Sequence, residues 1–450
     1  MIFHYSFKVT ILNKELVIRI VFWGKPRGVP KWPNIHFDPS RRIAIIKDFL
    51  INNFPEIKFV GWNWVKNEED LSHIIEKIGS ENEEVVVIFH LSSGWISAGK
   101  IMEKIPTVVI SDPLLWGYAG MVTHSQNLRK NGVRGFIVSS KDWNDVKRAF
   151  KVIKAYHALK NSRIIVVGRH VLGSTKEEYV KAMESLGVEI LFLDFDELKN
   201  EYDGISKENV NVLVDTLMRK ADKVVDVNRE TLVKSIRMYY TFKRLVEKYD
   251  ANGITIDCLG GFYSGKLDAY PCIAFSLFDD EGKVMSACEC DIDSLLTKIA
   301  MGEIADRPGF ISEPAIDTSD NVAIYAHCVS ATKLYGYDRE GEPFLIRTHA
   351  EDDKGASIQV LSTYNGPGTI VKLIPVEKKI LLLQGLIQGH IERELACRTK
   401  VVVKVKDGQA LIDEWQHNWH RVLYYGDWYR EILWLSRLLG FNLVKEKGSY

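Results

Sequence analysis

No stretch of this 450-residue sequence reaches the roughly 18 uninterrupted apolar residues that a bilayer-spanning helix needs. The N-terminus, MIFHYSFKVTILNKELVIRIVFWGK, comes nearest, but Lys8, Lys14, Glu15 and Arg19 break it up. Neither a signal-peptide core nor a membrane span is expected there, and the cytosol is the expected compartment. An excess of one charge is missing too, with Lys plus Arg and Asp plus Glu at 59 each. Nucleic-acid binding by phosphate neutralisation needs a basic surplus, so it is not expected. Cysteine is scarce: positions 258, 272, 288, 290, 328 and 397, with no CxxC pair. Reduced, buried thiols are expected rather than a thiolate zinc site. Cys288 and Cys290 should share one side of a strand, with Glu289 on the other. There is no internal repeat or low-complexity tract.

What is present is an ordinary globular mixture, 46% hydrophobic and 26% charged, long enough for roughly two to four domains. Leu16–Trp23, Glu84–Phe89, Thr107–Ile110 and Gly132–Val138 read as strands, with helices at 41–53 and 141–159. Such alternation predicts a parallel sheet covered on both faces. The pattern restarts near Ser162. RIIVVG (163–168), VEILFLD (188–194) and ITIDCLGG (254–261) read as strands, and 206–222 and 228–249 as polar helices. Gly168, Gly173, Ser174 and Thr175 resemble a phosphate loop, but its lysine is missing and a tight strand-to-helix turn is expected. Beyond about 315 the strands crowd together, with turns expected in YDREGEP, YNGPGT and VKDGQ, and a helix over 428–439 ends the chain. The expected fold class is α/β. Two Rossmann-like parallel-sheet domains (1–160 and 161–314) precede a mostly antiparallel β-rich domain with a terminal helix (315–450).

The segment VMSACECDIDSLLTKIAMGEIADRPGFISEP (284–314) carries the chemistry. Asp291 and Asp293 are explained as acids at a helix start. Glu289 is not, because it ends a very apolar run, and a lone buried carboxylate is costly unless paired or bound to a cation. Glu313 follows in a Pro/Gly-flanked loop, His327 ends the strand VAIYAHC, and His417 and His420 precede a strand in QHNWHRVLYYGDW. Two carboxylates and one or two histidines suit Mn²⁺ or a similar divalent ion.

ANGITIDCLGG, YPCIAFSLFDDEGKVMSACECDI, FISEP, IYAHC, THAEDDKGASIQ, ACRTKV and NWHRVLYYGD resemble, in order, the signatures of the L-fucose isomerase/L-arabinose isomerase superfamily. More closely, they resemble its shorter L-fucose isomerase-like members. The match is good over about 250–450 and diffuse before it. The resemblance implies a metal-dependent aldose–ketose isomerase working through a cis-enediol on a pentose or deoxyhexose. It implies Glu289 and Glu313 as metal ligands and acid/base groups and His420 as a ligand. The arabinose-isomerase pattern adds His327. Glu313 stands where fucose isomerases have aspartate and agrees with the arabinose type. Asp257, Lys266, His349 and Arg398 are candidates for holding the sugar. The resemblance also implies a homo-oligomer with active sites at subunit contacts, to which His90, His124 and Gln126 of a neighbour would contribute. Two alternatives stay open: other metal-assisted chemistry on a sugar derivative, and a non-catalytic sugar-binding protein on the same fold.

Overall fold

The computed structural model describes residues 14–92, 96–111, 113, 118–168, 170–393 and 396–450. Lys8 of the N-terminal run and Arg169 of the 163–175 turn lie outside them. The described chain divides into two compact units, 14–157 with 430–442, and 158–429 with 443–450.

The first unit is built on five parallel strands: β1 (Val17–Trp23), β2 (Lys58–Val65), β3 (Val85–His90), β4 (Thr107–Ser111) and β5 (Gly135–Ser139). Their order is β2-β1-β3-β4-β5. VIRIVFW of β1 and VVVIFH of β3 are buried at every position, as a doubly covered parallel sheet requires. β2 and the helix Glu68–Lys77 were not expected. The strand lies at the sheet edge and is only partly buried, so its apolar signal is diluted. Gly61 (φ +83°) and Trp62 (φ +51°) also shift its register against β1. Residues 430–442 belong to this unit, so the segment 315–450 is split between the two units. Trp434 of the terminal helix Tyr429–Leu439 stacks on Phe136 of β5 with ring centroids 4.8 Å apart.

The second unit begins with β6 (Arg163–Val167), β7 (Glu189–Leu193), the two-residue β8 (Lys223–Val224), β9 (Gly253–Ile256) and β10 (Met285–Ala287). Four of them form a parallel sheet in the order β10-β9-β6-β7. The described residues of the 163–175 segment are β6 and part of its connection to the next helix. Thr175 closes a capping box with Glu178 at the start of the helix Lys176–Leu186.

The remaining strands are β11 (Phe310–Asp317), β12 (Val322–His327), β13 (Phe344–Arg347), β14 (Ser357–Val360), β15 (Asn365–Ile374), β16 (Lys379–His390), β17 (Thr399–Lys404), β18 (Arg421–Tyr425) and β19 (Asn442–Lys445). Strands β15-β18-β11-β12-β17-β16 pair antiparallel in that order, and β15 pairs back onto β16, so the sheet closes into a barrel. β13 joins β14 and β8 in a small sheet. Tyr325, Ile370, Leu383, Val401, Val403 and Leu423 belong to one buried cluster with residues of the helices 207–220 and 229–248. Two expected turns are corrected. YNGPGT lies almost wholly in β15, and the chain reverses instead at 375–378, where Lys378 has φ +51°. VKDGQ starts the short helix Gly408–Asp413, with Asp407 as its N-cap. No helix among the described residues is long and apolar enough to cross a membrane.

Candidate metal centre

β10 is three residues long, and the chain leaves it through a turn over Cys288–Cys290. This corrects the expectation that the two thiols share one side of a strand. Glu289 (φ +57°) and Cys290 (φ +51°) are both left-handed, a conformation that costs roughly 1–2 kcal/mol for each non-glycine residue. The turn is held from several directions. Cys290 N donates to Ile256 O (3.0 Å), Asp291 N to Cys288 O (3.0 Å) and Leu172 N to Cys290 O (3.2 Å). Asp291 then caps the helix Ile292–Ala305, accepting from Ser294 N at 3.0 Å and Ser294 Oγ at 2.7 Å. Strain of this kind, retained by surrounding contacts, aims the Glu289 carboxylate.

Two histidines from the barrel meet it. His327 ends β12 and His420 immediately precedes β18. Glu289 Oε1 lies 3.8 Å from His327 Nε2 and 3.7 Å from His420 Nε2. One donor atom from each of the three residues lies within 4.8 Å of the others. A buried Glu/His/His group that could hold a metal ion is therefore present.

The two histidines differ in readiness. His420 Nδ1 is 3.1 Å from Asp291 Oδ2, and its buried Nε2 has no hydrogen-bond partner. A buried acceptor left bare costs about 1–3 kcal/mol, which a cation would remove. In the neutral ring, His327 Nδ1 accepts the Cys328 backbone N–H at 2.9 Å, which puts its one ring proton on Nε2, toward Glu289. To offer Nε2 as a ligand, His327 must give up that contact. The O/N/N donor set suits a first-row divalent ion. Burial pushes the Glu289 carboxyl up, but the His327 contact and the two histidine charges outweigh it and hold it below its usual range. Burial pulls His327 down, and Glu289 more than reverses this, with Cys328 and Glu313 adding to the rise.

Glu313 is not one of the three grouped residues. It lies in β11 rather than in a loop, paired with Ala326, and its Oε1 is 3.9 Å from Cys397 Sγ. His417 also points elsewhere, with Nε2 2.7 Å from Asp293 Oδ2. The four candidate sugar-holding residues have structural work. Asp257 caps the helix Cys258–Tyr263, and the Lys266 ammonium lies 5.5 Å from the Phe195 ring centroid. His349 stacks on Tyr270 at 4.1 Å. Arg398 donates to Thr348 O at 2.8 Å and to Asp353 Oδ1 at 3.1 Å, stapling the 348–353 turn. All six cysteines are free, and only Cys397 is not fully buried.

In the first unit, His90 Nδ1 lies 3.2 Å from His124 Nε2. Burial lowers both imidazoles, to about 3 and about 4 respectively, with the His124 charge adding to the effect on His90. Gln126 is exposed.

Lys372 was missed by sequence reasoning. It is fully buried in β15 and reaches Asp291 Oδ2 (2.7 Å), Ser294 Oγ (3.2 Å) and Asn418 Oδ1 (2.7 Å). The signal was available, since a lysine inside TIVKLI is as anomalous as Glu289 inside its own apolar run. No protein-family model matches this chain, and no curated protein matches it.

Proposed function

We propose that this protein is a metal-dependent aldose–ketose isomerase of the L-fucose/L-arabinose isomerase kind, acting on a pentose or deoxyhexose. The observation that carries the reading is the meeting of Glu289 with His327 and His420, whose Nε2 is buried without a partner. In this reading Glu289, His420 and His327 hold a divalent ion, Mn²⁺ by preference for mixed oxygen and nitrogen donors. The bound ion supplies polarisation of the sugar carbonyl. Glu289 takes the proton from C2 of the aldose and returns it to C1 of the cis-enediol, giving the ketose. Glu313 is the second carboxylate, moving the hydroxyl proton from O2 to O1. The protein works as a homo-oligomer with its sites at subunit contacts.

Metal analysis of the purified protein, followed by a panel of aldoses with and without Mn²⁺, tests this. Metal-dependent ketose formation is the expected result. A metal-free protein whose sugar affinity ignores Mn²⁺ would instead establish a sugar-binding protein. The position of Glu313 outside the donor group favours that second reading.

A further inference from the structure

Four charged or ionisable side chains beneath the candidate centre are fully buried: Asp291, Asp293, Lys372 and His420. Buried ion pairs are poor stabilisers, because apolar residues of the same size usually serve as well. Their placement here has a geometric consequence. Asp291 Oδ2 accepts from Lys372 Nζ at 2.7 Å and Ser294 Oγ at 2.7 Å, and lies 3.1 Å from His420 Nδ1. A carboxylate can only accept, so His420 must carry its proton on Nδ1 and present a bare Nε2. Lys372 also holds Asn418, and Asp293 holds His417 at 2.7 Å. The segment 417–420 is thus pinned at three of its four side chains to one helix start and one barrel strand. Trp419, the fourth, is half exposed.

We propose that Asp291 and Lys372 are positioning residues for the metal centre. Asp291 sets the tautomer and direction of His420, and Lys372 locks Asp291 to the segment that carries His420. The inference rests on the metal reading of the site, and it concerns how the ligand is prepared rather than which reaction follows. An outer carboxylate that fixes a ligating histidine commonly governs metal affinity by about 10–100-fold. In Asp291→Asn neither orientation of the amide reproduces the contacts. One turns an N–H₂ toward Lys372 and His420, and the other turns it toward the Ser294 N–H.

The test uses the full-length protein with ¹⁵N-labelled histidine, its His420 signals assigned by their loss in His420→Gln. In the metal-free wild type, the neutral His420 ring is expected as the Nδ1–H tautomer. A dominant Nε2–H tautomer overturns the proposal without any variant having to fold. Titration with Co²⁺, read by its visible spectrum and by calorimetry, is expected to give affinities about 10–100-fold weaker in Asp291→Asn and in Lys372→Met. Unchanged Co²⁺ affinity in either folded variant overturns the positioning role while leaving the metal centre standing. Failure of the wild type itself to take up Co²⁺ sinks the metal centre, and this inference with it.

Discussion

His420 Nε2 points at Glu289 Oε1 across 3.7 Å, too far for a hydrogen bond and close enough for both to reach one ion. Glu289→Gln should therefore abolish Mn²⁺ binding and isomerisation together while the fold survives. The substitution keeps the side-chain shape and removes the charge that would hold the ion and that faces His327. The Tm of the metal-free variant should stay within about 2–4 °C of wild type, the shift that roughly 1 kcal/mol produces in a large domain. Substantial retained isomerisation would take Glu289 out of the mechanism.

The two histidines should not be equal. His420 is held ready by Asp291, whereas His327 spends its Nδ1 lone pair on the Cys328 N–H. Calorimetry should find Mn²⁺ binding lost in His420→Ala and weakened but measurable in His327→Ala. The reverse order would mean that the ring orientation of His327 is not the one used when metal is present.

Much of the architecture was legible because apolar runs differ by location. β1, β3, β4 and β6 are buried runs rich in branched residues in sheet interiors, and their positions match expectation within a few residues. β2 was hidden by its exposed edge. Glu313 was read as a loop residue because Gly309 and Pro314 flank it. Pro314 is tolerated because β11 leaves β18 after Ser312 and has a partner on one side only there. At the site, Glu289 and His420 could be found as polar residues that an apolar setting does not explain. Asp291 could not, because its capping role accounts for it locally. Only the tertiary pairing with Lys372 and His420 reveals its second role.

The response to pH should split between the metal-free and metal-bound protein. Glu289 is held below its ordinary value of 4.5, so its stabilising contribution is present above that pH and lost as pH falls through the lowered value. His327 is held above its ordinary 6.5, so its contribution is complete below that pH and lost as pH rises through the raised value. Without metal, the pair stabilises most between 4.5 and 6.5. The Tm advantage of wild type over Glu289→Gln should shrink across neutrality. Metal uptake needs neutral imidazole, so Mn²⁺ affinity should rise over the same interval. Parallel trends in the two quantities would mean that Glu289 and His327 are not electrostatic partners.

A second buried pair gives a comparison in which stability alone is at stake. Lys298 Nζ lies 2.6 Å from both carboxylate oxygens of Asp279 and 2.6 Å from Ser286 O in β10. Burial pushes the Asp279 carboxyl up to about 6 even against the adjacent ammonium. Removing one partner leaves the other charge uncompensated, so Lys298→Met alone should cost about 3–5 kcal/mol in urea unfolding. Replacing both, Asp279→Leu with Lys298→Met, removes both charges and should restore most of that loss. A double variant no more stable than the single one would show that the lysine contact to β10 matters more than the pairing of charge. The same double replacement at Asp291 and Lys372 should recover stability without recovering Mn²⁺ affinity, because an apolar side chain can fill the space beside His420 but cannot hold the proton on its Nδ1.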